Sequence, residues 1–119
     1  MAGLKDAPRI PRADIEAARD DATRNVVEAM AFAGIRPEDT AKLVEAVDSV
    51  PINPELVPQG VVMYMLLLKN AVERALPGYA HMVGFLLLPY RLELGKLPGV
   101  EVEVTRLRDG SKAMGEMLK

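Results

Sequence analysis

Cysteine and tryptophan are absent from this 119-residue chain, and other reactive side chains are nearly so: one histidine (His81), one glutamine (Gln59), two serines (Ser49, Ser111) and three threonines (Thr23, Thr40, Thr105). Each shortage excludes something. Without cysteine there is no disulfide framework, so the fold must rest on packing, and a reducing, cytoplasmic setting is expected. Covalent catalysis needs an activated Ser, Cys or Thr, and transition-metal sites are built mainly from His and Cys. A Ser-His-Asp relay would have to pair the single histidine with one of two serines, neither in a nucleophile-elbow context. No cofactor is expected, and no metal site of the His/Cys kind. Long apolar runs are missing too: Val61 to Leu68 is closed by Lys69, and Met82 to Leu88 by Pro89. Both are far short of the roughly 20 residues of a membrane span. The first twelve residues carry no apolar segment of the signal-peptide kind. Nor is there an excess of either charge: 15 Lys and Arg stand against 17 Asp and Glu, a net charge of -2. A field that weak gives no reason to expect a nucleic-acid partner.

What is present is globular in character. Half of the residues are hydrophobic and 27% charged, enough for one compact core. The scarcity of Asn, Gln and Ser beside abundant Leu, Val, Ala, Arg and Glu matches a thermophile or a GC-rich genome.

Residues 1–12 contain Pro8 and Pro11, which turn their predecessors away from helix, so a flexible N-terminal arm is expected there and a single domain over 13–119. From Ala13 to Ala33, apolar Ile15, Ala18, Ala22, Val26, Ala29, Met30 and Ala33 recur at three- and four-residue steps, which predicts an amphipathic helix stopped by Gly34. Its alanine-rich stripe suits close approach by another helix. Pro37 near the first helical position, followed by Glu38 and Asp39, predicts a second helix to about Val47 or Ser49 and hence a helical hairpin. Asn53 to Leu56 reads as one capped helical turn.

A third helix, Val61 to Leu76, is apolar almost all round until Lys69, a pattern that calls for enclosure on every side. Pro77-Gly78 ends it. Met82 to Leu88 is a strand or a short helix, since periodicity does not decide so short a run. Beyond Pro89, Leu92 and Leu94 alternate with Arg91 and Glu93, and Val100, Val102 and Val104 with Glu101, Glu103 and Thr105, which predicts an antiparallel β-hairpin around a Gly95–Gly99 loop. Arg108-Asp109-Gly110 reads as a turn before a short helix, Lys112 to Leu118. The expected fold class is α+β: a helical hairpin, a central apolar helix and a C-terminal antiparallel β-hairpin or small sheet.

The candidate sites follow from these placements. Tyr64, Tyr79, His81, Phe85 and Tyr90 fall in one window of the chain, and aromatic walls with polar tips suit a ligand pocket. If the chain is an enzyme, His81 with Glu73 or Tyr79 is the acid-base set. The cheaper reading makes the aromatics core anchors and Lys69–Glu73 a surface pair. Glu93, Glu101 and Glu103 share one face of the expected hairpin and offer oxygen ligands for a divalent cation, although a solvated sheet face predicts the same residues. Arg106, Arg108 and Lys112 near Ser111 are a weak phosphate signal. The order of elements, two helices, a longer third and a hairpin, is similar to that of winged-helix DNA-binding domains. Val61 to Leu68, however, offers no side chain able to read a base. The leading expectation is a non-enzymatic homo-oligomeric or accessory subunit, associating with itself or within a protein complex. Its apolar interface would involve Val61, Met65, Leu67, Leu68, Phe85 and Leu87.

Overall fold

A computed structural model describes residues 8–117, with side chains through Gly110. Five α-helices dominate it: α1 (Arg12–Phe32), α2 (Pro37–Asp48), α3 (Pro58–Ala75), α4 (Val83–Gly95) and α5 (Val100–Met117), with a 3-10 turn, Pro77–Met82, between α3 and α4. Two-residue strands, β1 (Ile10–Pro11) and β2 (Glu55–Leu56), pair antiparallel with Ile10 opposite Leu56. The expected α+β class is thereby corrected to a mostly helical fold, and Glu55–Leu56 is a strand where a helical turn was expected.

Both strands of the expected C-terminal hairpin are helices, α4 and α5, joined by a turn over 96–99. Val83, Leu86, Tyr90 and Leu94 are buried at steps of three and four, the seam of a helix, and Pro89 interrupts α4 without ending it. Val100 is buried and Val104 half-buried one turn apart, while Val102 between them points to solvent. A period of two over three valines is thus also a period of four on one face, and the contacts available to that face decide between them. Charge pairs agree with helix: Lys96 holds Glu93 at 3.1 Å and Arg106 holds Glu103 at 2.9 Å, each three residues apart. The residues read as a turn, Arg108 to Gly110, lie within α5. With no hairpin in the place of a wing, the similarity to winged-helix domains lapses.

Helix ends follow local chemistry. Gly34, at φ 77°, closes α1: its N–H donates to the Ala31 carbonyl at 3.1 Å and that of Ile35 to the Met30 carbonyl at 3.0 Å, a Schellman pairing that satisfies the terminal carbonyls. Pro37 opens α2 at a position where the missing N–H is harmless. Gly99, at φ 78°, turns the chain from α4 into α5, where a Cβ would lie 2.9 Å from Pro58 Cγ.

Helices α1 to α4 form a ring of neighbours, α1 on α2, α2 on α3, α3 on α4 and α4 back on α1, with α5 laid against α3 and α4. Thr23 bonds Tyr90 at mid-helix, and Gly99 at the far end of α4 lies against Pro8 before α1, so α1 and α4 run antiparallel. Ile15, Ala18, Ala22, Val26 and Met30 of α1 are all buried, as their spacing predicts. The smallest dimension of the molecule is 20 Å, about two helix diameters. Two layers cannot surround a helix, so α3 buries Val61, Tyr64, Leu68 and Val72 inward and leaves Met63, Leu66 and Leu67 exposed. The enclosure expected for this helix is not supplied by the described residues.

The last residues of the expected arm are fastened to the body. Ile10 is fully buried, the Arg12 N–H donates to the Pro54 carbonyl at 2.9 Å, and the Arg12 guanidinium donates to the Ile52 carbonyl. Met1 to Ala7 lie outside the described residues.

Pro89 has no N–H to give to the fourth residue before it and occupies a helix interior. Pro89→Ala is therefore expected to stabilise the protein by about 1–3 kcal/mol, read as a higher urea midpoint with an unchanged slope.

Candidate functional site

Two surfaces stand out, one apolar and one polar. The apolar one is the outer face of α4. Its residues at steps of three and four on the side away from α1 are Phe85, Leu88 and Leu92, exposed by 63%, 47% and 55%. Along that stripe α4 presents no charge to water. Its two charged residues lie at the stripe's edges and are already engaged: Arg91 makes a two-pronged pair with Glu101 of α5, at 2.8 and 3.0 Å, and Glu93 holds Lys96. Single exposed apolar side chains are ordinary, but an aligned set of large ones is characteristic of a contact surface.

The polar surface is a cleft along the α2–α3 seam. Its core is Asp39, 5% exposed and the one charged residue among the buried ones described. One oxygen, Oδ2, accepts the Tyr79 hydroxyl at 2.6 Å and Arg36 Nε at 3.4 Å, and Lys42 Nζ lies 4.0 Å from Oδ1. Asp39 belongs to the first turn of α2, where the helix dipole favours a carboxylate. Tyr79 belongs to the 3-10 turn after α3, so the bond latches that turn onto the start of α2. The Tyr79 hydrogen bond and the cations hold the Asp39 carboxyl below its ordinary value, and the same bond holds the Tyr79 phenol above its own.

A depressed carboxylate stabilises the fold above its ordinary pKa of 3.8, and that contribution vanishes as pH falls through the lowered value. A raised phenol stabilises it below its ordinary 10, and that contribution vanishes as pH rises through the raised value. Tyr79→Phe should accordingly lower the thermal midpoint at neutral pH. In acid strong enough to protonate Asp39 the difference from wild type should shrink, because the partner oxygen is then no longer charged.

The aromatic window separates in space. Tyr64 and Tyr90 are buried in the core, Tyr79 is in the cleft, and His81 and Phe85 are exposed. The Thr23 hydroxyl donates to the Arg19 carbonyl at 2.9 Å, which leaves its oxygen to accept the Tyr90 O–H at 2.8 Å. Burial pushes the Tyr90 phenol up to about 12. The Tyr64 hydroxyl is buried with no hydrogen-bond partner among the described residues, in the field of the Arg19 guanidinium. Glu73 is exposed and paired to Lys69 at 3.6 Å. The acid-base set of His81, Glu73 and Tyr79 shares no hydrogen bond among the described residues, and of the three Tyr79 lines the α2–α3 cleft.

Of the expected interface set, Val61 and Leu68 are core residues, Met65 and Leu87 are half-buried, and Leu67 and Phe85 are exposed. Glu93, Glu101 and Glu103 do not converge as ligands, each being paired to a different cation. No group of three acidic or histidine side chains placed to hold a metal occurs among the described residues. Likewise no described helix is long and apolar enough to cross a membrane. Leu88 and Leu92 were missed as surface residues because periodicity leaves the run to Leu88 undecided between strand and helix, and alternation places Leu92 with Leu94 on the apolar face of a strand after Pro89. The pair Asp39–Tyr79 was missed because 40 residues separate its members.

Comparison of the chain with protein-family models, curated proteins and solved structures gave no match.

Proposed function

We propose that this protein is a non-enzymatic assembly subunit that associates with a second copy of itself through the outer face of α4. One observation supports this reading above the others: Phe85, Leu88 and Leu92 are aligned, exposed and uninterrupted by charge. The flanking charges are neutralised within the chain, so neither edge of the stripe repels an identical neighbour. A cyclic pair is the simplest closed assembly for such a surface. The acid-base candidates do not converge among the described residues, with Glu73 paired to Lys69 and Tyr79 to Asp39, so the enzymatic alternative has less support.

Static light scattering at micromolar concentration tests the reading. The expected result is a mass above the 13.0 kDa of one chain for the wild type and a return to it for Leu88→Glu. A wild type that remains at one chain's mass would refute it.

A further inference from the structure

We infer that the cleft between α2 and α3 binds a small zwitterion, a molecule carrying an ammonium and a carboxylate a few bonds apart. The cleft consists of two adjoining hollows of about 450 and 400 Å3 that share Lys42 and Ala75. Short side chains, Ala46, Ala71 and Ala75, line it between the longer Lys42, Glu45 and Arg74. Volumes of this size suit small ligands.

The charges select the ligand class. Most of Asp39 is buried, and while Oδ2 accepts from Tyr79 and Arg36, Oδ1 makes no hydrogen bond among the described residues, with Lys42 Nζ 4.0 Å away. A carboxylate oxygen that is open to a cleft is an acceptor for an N–H donor. Across the seam stands Arg74, which makes no ion pair among the described residues, with Lys42 beside it. These two are donors for a carboxylate. A simple anion would meet Asp39 and Glu45, and a simple cation would meet Arg36, Lys42 and Arg74. A dipolar molecule satisfies both ends: its ammonium on Asp39 Oδ1, its carboxylate on Arg74 and Lys42. The site is separate from the α4 face, so its test is independent of self-association.

Amide NMR spectra of the intact protein, titrated with glycine, γ-aminobutyrate and ε-aminocaproate, test the inference, with butyrate and butylamine as probes of single charge. At least one zwitterion is expected to shift amides of residues 36–49 and 71–79 saturably, with Kd of about 1 mM. Arg74→Ala is expected to weaken that binding by about tenfold or more. Asp39→Asn should abolish it, and should that variant unfold, Arg74→Ala still decides, because Arg74 is exposed and bonded to nothing described. No saturable shift with any zwitterion, equal shifts with butyrate or butylamine, or unchanged binding by Arg74→Ala would each overturn the inference.

Discussion

Tyr90→Ala is expected to lower the free energy of unfolding by about 3–5 kcal/mol, a large share of what a domain of this size possesses. Tyr90 is fully buried between α1 and α4, the antiparallel pair on which the ring of helices closes. Truncation removes the ring from the centre of that contact and leaves the Thr23 oxygen without its donor. Tyr90→Phe separates the two effects. It keeps the packing and loses one hydrogen bond, so about 1 kcal/mol is expected. The same phenol sets an alkaline limit. Its pKa in the fold, about 12, exceeds the ordinary 10, so the protonated form is the one the fold favours. That contribution is complete below pH 10 and is lost as pH rises through 12. Urea unfolding of both variants at neutral pH and near pH 11 measures each part, and in Tyr90→Phe the alkaline decline assigned to this residue should be missing. A Tyr90→Ala protein as stable as wild type would mean that α1 and α4 do not pack as described.

Leu88→Glu is expected to abolish self-association while leaving the fold intact. Leu88 is half-exposed in the single chain, and glutamate is a good helix former, so helix content by circular dichroism should not change. In a dry contact between two α4 faces the carboxylate would be buried without a partner, which costs several kcal/mol and raises the dissociation constant by at least about a hundredfold. Leu67→Glu is the control. Leu67 lies on the outer side of α3, and its substitution should leave the assembly unchanged if α4 is the contact. Dissociation by Leu67→Glu and not by Leu88→Glu would move the interface to α3.

Much of the N-terminal half was legible in the chain. The three- and four-residue spacing from Ile15 to Met30, the stop at Gly34 and the start at Pro37 all act within one or two turns of helix. Local chemistry therefore fixes them whatever surrounds them. The C-terminal half was not legible for the opposite reason. Val100, Val102 and Val104 satisfy a strand and a helix equally until something chooses which of them to bury. The choice falls to the groove beside α3 and α4, which accepts Val100 and Val104 on one helical face.

The candidate sites divide along the same line. Tyr64 and Tyr90 are core residues, in line with the reading of the aromatics as core anchors, whereas Phe85 of the same window faces water. The cleft was not visible, because Asp39 and Tyr79 meet only when α2 and α3 lie side by side. The alanine residues, reading as helix formers in sequence, become part of a cleft lining only there. By itself the sequence determined that the chain is globular, poor in reactive groups and helical over most of α1, α2 and α3, since these follow from composition and near-neighbour spacing. Tertiary structure alone decided that Val83–Gly95 and Val100–Met117 are helices, that Phe85, Leu88 and Leu92 face water, and that a mostly buried Asp39 opens onto a cleft. Those outcomes depend on contacts between residues far apart in the chain, and a two-layer fold has room to bury only one face of each helix.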